Sequence, residues 1–124
     1  MKTLTLIGTA TSLLALGCAG TYPPPTQQLA DVQSANRSAT ELGAQTNPNA
    51  QLHLKLAEEQ LQQAKTAMAN DDNKSANSLL TRAKADAELA VALMRDSNAT
   101  LEAKKAVDQA NAQRSTNADQ GATR

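Results

Sequence analysis

The side chains able to do chemistry in this 124-residue chain are few: one cysteine, Cys18, one histidine, His53, and scattered carboxylates. A thiolate is a strong nucleophile and readily alkylated, so Cys18 is the candidate reactive group. With no second cysteine, an intramolecular disulfide is excluded. A metal role for His53 would require Cys, Asp, Glu or another His one helical turn away, and positions 49, 50, 56 and 57 hold Asn, Ala, Leu and Ala. Asp71, Asn73, Ser75 and Asn77 alternate like the first ligands of a calcium loop. The sixth position of that loop is Ala76 instead of Gly, however, and the twelfth is Arg82 instead of Glu. Glu58 and Glu59 are adjacent, so on a helix they point in different directions and do not form a paired-carboxylate site. No glycine-rich phosphate loop and no nucleophile triad is present. No catalytic residue, metal, cofactor or small-molecule substrate is therefore expected, and the chain reads as a non-enzyme.

The segment that positions Cys18 is an export signal in layout. Lys2 precedes an uncharged run, Thr3 to Gly17, containing Leu4, Leu6, Ile7, Leu13, Leu14 and Leu16. As a helix, that run would be about 22 Å long, short of the roughly 30 Å hydrocarbon core of a bilayer. The end of the run, Leu14-Ala15-Leu16-Gly17-Cys18, resembles the lipobox of bacterial lipoproteins. The resemblance implies cleavage between Gly17 and Cys18 and acylation of the cysteine, which becomes the new N-terminus. Ala15 stands where the most favoured box has leucine. Ala19 stands where an Asp would imply retention in the inner membrane of a Gram-negative cell, so the resemblance implies an outer-membrane anchor facing the periplasm. One acyl chain binds reversibly, at about 0.8 kcal/mol per buried methylene, whereas two or three hold a protein in place.

Past the anchor, the run to Pro25 ends in Pro23, Pro24 and Pro25, which favour an extended conformation. Residues 18–25 read as a tether that lifts the body off the membrane. The body lacks Phe and Trp, and Tyr22 is the only aromatic residue of the chain, so its core must be thin. Its alanine, leucine and glutamine usage suits helices that meet along narrow seams. Removal of Lys2 with the signal leaves 11 basic against 12 acidic residues, and no basic cluster exists, so nucleic acid is excluded as a partner.

The pattern predicts an all-α domain over residues 26–113. A first helix spans about Thr26 to Leu42, with Val32, Ala35, Ala39 and Leu42 on one face and Gly43 placed to end it in a left-handed cap. A second opens with Asn47 as N-cap and Pro48 at the first helical position, and runs to about Ala69 on a stripe of Leu54, Ala57, Leu61, Ala64 and Met68. After the break at residues 70–73, Asp72 caps a third helix carrying Leu80, Ala83, Ala87, Ala90 and Met94. That helix continues to about Gln113 on a shifted stripe, Ala99, Ala103, Ala106 and Ala110, which needs a partner or stays solvated. The second and third helices should form an antiparallel hairpin. The first helix can fold back to make a three-helix bundle or lie beside the extension in one long hairpin; the bundle is favoured because it hides more of a thin core. Arg82 with Asp86, and Lys84 with Glu88, read as solvated pairs four residues apart. The polar stretch 114–124 reads as a disordered tail.

The stretches Leu54-Lys55-Leu56-Ala57-Glu58, Ala64-Lys65 and Ala83-Lys84-Ala85-Asp86-Ala87-Glu88-Leu89-Ala90 resemble the small bacterial lipoproteins bearing the domain of unknown function numbered 4398. The likeness covers roughly Pro25 to Leu93 and implies an envelope protein with a helical hairpin; the family supplies no activity. The functional expectation is a structural or adaptor lipoprotein, held to the membrane through acyl chains on Cys18, that binds another envelope protein or self-associates. The alternative is a cell-wall spacer akin to the major murein lipoprotein. That protein is joined to the wall through a C-terminal lysine, and the last residue here is Arg124.

Overall fold

The computed structural model describes residues 22–122. Gly17, Cys18, the signal segment and the start of the tether lie outside them. Three helices account for nearly all of the described chain: α1 (Thr26–Glu41), α2 (Pro48–Ala69) and α3 (Asn73–Ala122), with a short 3-10 turn at Ala44–Thr46 between the first two. No strand occurs among the described residues, and the protein is all-α.

Each reversal follows from local chemistry. Helix α1 ends at Leu42, and Gly43 takes φ +88°, a left-handed conformation that costs glycine nothing. Its N–H donates to the Thr40 carbonyl at 3.0 Å, and Thr46 Oγ1 donates to the Gly43 carbonyl at 2.8 Å, tightening the turn. Asn47 Oδ1 then accepts from the backbone N–H groups of Asn49 (3.0 Å) and Ala50 (3.2 Å), satisfying two donors that the start of α2 would otherwise leave open. Pro48 occupies the first turn, where a missing N–H costs nothing. Between α2 and α3 the turn is a Schellman motif. Asp72 N–H donates to the Ala67 carbonyl (2.9 Å), Asp71 N–H to that of Met68 (3.1 Å), and Asp71 itself sits at φ 59°.

These turns make a three-helix bundle in which α1 runs antiparallel to α2 and parallel to α3. At one end Val32 packs with Leu61, Ala64, Leu80 and Ala83, flanked by Leu29 and Leu79. At the other, Ala39 and Ala44 pack with Ala50, Leu54, Ala90 and Met94. Ala57 and Ala87, both fully buried, lie between the two clusters in sequence on α2 and α3. Alanine at these positions lets helix backbones approach closely, which is how a chain with almost no aromatic residues achieves a packed seam. Leu80 and Val32 are its largest fully buried side chains. In α1 the buried stripe is Val32, Asn36 and Ala39, so a polar residue takes the place of the expected Ala35, which is only half-buried.

Two expectations are corrected. Helix α3 runs to Ala122, so residues 114–122 are helical where the sequence suggested an irregular tail. No proline or glycine interrupts α3 before Gly121, and the hydroxyls of Ser115 and Thr116 both donate to the Ala112 carbonyl, at 2.8 and 3.0 Å, instead of competing with the helix. Asp86 does not form a solvated pair with Arg82. It turns toward α2 and engages His53. Among the described residues no helix is long and apolar enough to cross a membrane.

Candidate functional site: a half-buried staple and a projecting helix

The helix-start residues singled out in the sequence have structural positions. Asn47 and Pro48 open α2. Asp72 opens α3, its Oδ1 accepting from the Ser75 N–H at 3.1 Å. Hydrogen bonds from the Ser75 hydroxyl and N–H, with Lys74 nearby, hold the Asp72 carboxyl below the usual carboxylate range. Gly17 and Cys18 fall outside the described residues, so the geometry of the site is that of the bundle and of α3 alone.

The structure brings together three residues that the sequence left apart. His53 Nδ1 lies 2.9 Å from Asp86 Oδ1, and Gln60 Nε2 donates to Asp86 Oδ2 at 2.8 Å. His53 and Gln60 are two turns apart on one face of α2, and Asp86 reaches them from α3. Both carboxylate oxygens are thus engaged, and the cluster staples the hairpin where the His53 and Asp86 side chains are only 27% and 21% exposed. The signal was indirect: with the turn at residues 70–72, antiparallel register sets position 53 near position 89, about one helical turn from Asp86. Reading each helix separately hides this. Among the described residues no group of three or more His, Cys, Asp or Glu side chains is arranged to hold a metal ion. A second cross-helix contact is Lys84 Nζ, 3.8 Å from Asp31 Oδ2 on α1 and 3.9 Å from Glu88 Oε1 on its own helix. All three side chains remain in contact with solvent, so the contact adds little stability.

An open groove of about 640 Å³ lies between α1 and α2, lined by Gln33, Asn36, Arg37, Glu58, Glu59 and Gln62 among others. Leu61 lines it as well, and the stems of the long polar side chains make much of its surface apolar.

Beyond Met94 the third helix leaves the bundle. From Leu101 to Gln120 every residue is exposed except Ala110, which is half-buried. The projecting part, residues 95–122, extends about 42 Å at 1.5 Å per residue. Leu101 and Val107 are 53% and 59% exposed there, and Leu89, on the bundle's outer side, is 42% exposed. These aliphatic side chains have nothing from the described chain lying over them.

Comparison with known proteins agrees with the sequence resemblance. The model of the family described as Domain of unknown function (DUF4398) matches residues 27–106, which takes in the whole bundle and the first part of the arm. No curated protein and no solved structure matches the chain.

Proposed function

The chain belongs to the DUF4398 family, and on that premise we propose that it is a membrane-anchored, non-catalytic adaptor of the bacterial envelope. In this reading the signal of residues 1–17 is removed and Cys18 is acylated. Residues 18–25 space the bundle from the outer membrane, and the arm of α3 extends from the bundle on the periplasmic side. The bundle serves as a rigid base and the arm as the contact element. The observation that carries the reading is the arm itself: a helix continuing roughly 42 Å past its bundle with exposed Leu101 and Val107 and no intramolecular cover among the described residues. Holding a helix in water at that length yields no burial to offset its ordering, so its value lies in what it contacts.

Site-specific photo-crosslinking in intact cells tests this. A photoreactive side chain at Val107 should give a discrete adduct in the envelope, and one at Lys55, on the bundle, should not. Cys18→Ser should move the protein out of the membrane fraction and abolish the adduct. Monomer alone from every position on the arm, or unchanged fractionation of Cys18→Ser, would overturn the proposal.

A further inference from the structure

Helix α3 carries two regular seams on opposite faces, and the bundle uses only one. The inner seam, Ala76, Leu80, Ala83, Ala87, Ala90 and Met94, alternates spacings of four and three residues and is buried throughout. The same alternation starts again at Ala85 and Leu89, passes Ala92, Asp96 and Ala99, and repeats through Ala103 and Ala106 to Ala110. At about 100° per residue, this outer seam lies roughly 160–200° from the inner one, facing away from α1 and α2. Every position of it before Ala110 is exposed. The seam is not merely a row of small side chains: Leu89 is 42% exposed within it, and Val107, at its edge, is 59% exposed.

The flanking charges select an orientation. The residues immediately before Leu89, Asp96, Ala103 and Ala110 are Glu88, Arg95, Glu102 and Gln109. When two copies of this helix lie antiparallel, positions of this class face each other across the seam, and Arg95 of one copy meets Glu102 of the other, twice by symmetry. The same register sets Leu89 against Ala106, Ala92 against Ala103 and Ala85 against Ala110, pairing small or large side chains with small ones so that backbones can close. A parallel pair would instead set Arg95 beside Thr100 and Glu102 beside Val107, with no opposite charges in contact.

We propose that the outer seam of α3 is a homodimerisation surface, on which a second copy of this chain docks antiparallel about an axis between residues 97 and 98. This deepens the adaptor reading by naming the arm's partner, and rests on that reading only for its setting in the envelope. The arm of each copy then lies along the outer side of the other's bundle. The two N-terminal ends sit at opposite ends of the assembly, roughly 75 Å apart at 1.5 Å per residue. Asp96 is the one charged residue in the seam, and its two copies fall close to the axis, so it weakens the dimer and keeps it adjustable.

The test uses the full chain carrying Cys18→Ser, with sedimentation equilibrium and disulfide trapping. Ala85→Cys mixed with Ala110→Cys should cross-link, whereas Ala110→Cys alone should not. Arg95→Glu should weaken association roughly tenfold, and adding Glu102→Arg should restore it. Asp96→Ala should tighten association, and Asp108→Lys, on the opposite face, should leave it unchanged. Efficient cross-linking of Ala110→Cys with itself, association indifferent to Arg95→Glu and Asp96→Ala, or a strictly monomeric chain would each overturn the proposal. A monomeric chain whose Val107 adduct in cells contains a different protein would leave the adaptor reading standing and remove only the dimer. A dimer formed by a chain that is never membrane-anchored would do the reverse.

Discussion

Leu80→Ala truncates one of the two largest fully buried side chains of the thin core. Leu80, on α3, is fully buried against α1 and α2 in the cluster that includes Val32, Leu61 and Ala64. The substitution deletes three carbon atoms. At about 0.8 kcal/mol each, the transfer loss is about 2.4 kcal/mol, and the residual cavity raises the expected cost to about 3–4 kcal/mol. Surrounding alanines have no rotamers with which to fill the space, so little relaxation is available. For a domain of ordinary stability this is a large fraction of the whole, and it corresponds to a fall in melting midpoint of roughly 12–32 °C. Circular dichroism at fixed protein concentration measures it, with Leu101→Ala on the exposed arm as the control, expected to change stability by less than about 0.5 kcal/mol. A cost below about 1 kcal/mol for Leu80→Ala, or equal costs for the two variants, would refute the packing derived for this seam.

Asp86→Ala leaves His53 and Gln60 without their shared acceptor and should destabilise the protein by about 1–2 kcal/mol, seen as a lower denaturant midpoint. Gly43→Ala should cost about 1 kcal/mol from backbone conformation alone, because an added Cβ would meet Thr46 Oγ1 at 3.6 Å and Met94 Cε at 3.8 Å, ordinary contact distances. Asp71→Gly, at φ 59°, should raise stability by up to about 1 kcal/mol in the same assay. The Asp72 carboxyl is held below its ordinary range in the folded chain. Its contribution is therefore complete above the unfolded value and lost as pH falls through the folded one, and melts of wild type and Asp72→Ala should converge under acid conditions while differing at neutral pH.

The helices were legible because their signals are local. Gly43, Asn47 with Pro48, and the stripe of Leu54, Ala57, Leu61 and Ala64 each specify a turn or a face within a few residues. The His53–Asp86–Gln60 cluster was not, since it exists only once the register of two helices is fixed, and i,i+4 spacing made Arg82 a more obvious partner for Asp86. Asn36 escaped for a related reason. It sits on the buried face of α1 between Val32 and Ala39, where a count of apolar residues selects Ala35, and the helix turns Asn36 inward in its place. The end of α3 was misread from composition: Ser, Thr, Asn and Asp read as irregular, yet the Ser115 and Thr116 hydroxyls bond back to their own helix. The long arm is legible only in part, as an alanine stripe in need of a partner, because which face of α3 points away from the bundle depends on the packing of the inner seam.

The claim on which the functional reading stands is that this helical body is fixed to a membrane through Cys18. Intact-mass spectrometry of the protein extracted from the envelope of the cell that makes it tests that claim most directly. The expected species begins at Cys18 and carries the added mass of two or three acyl chains; a chain retaining residues 1–17, or one beginning elsewhere without acyl mass, would contradict it.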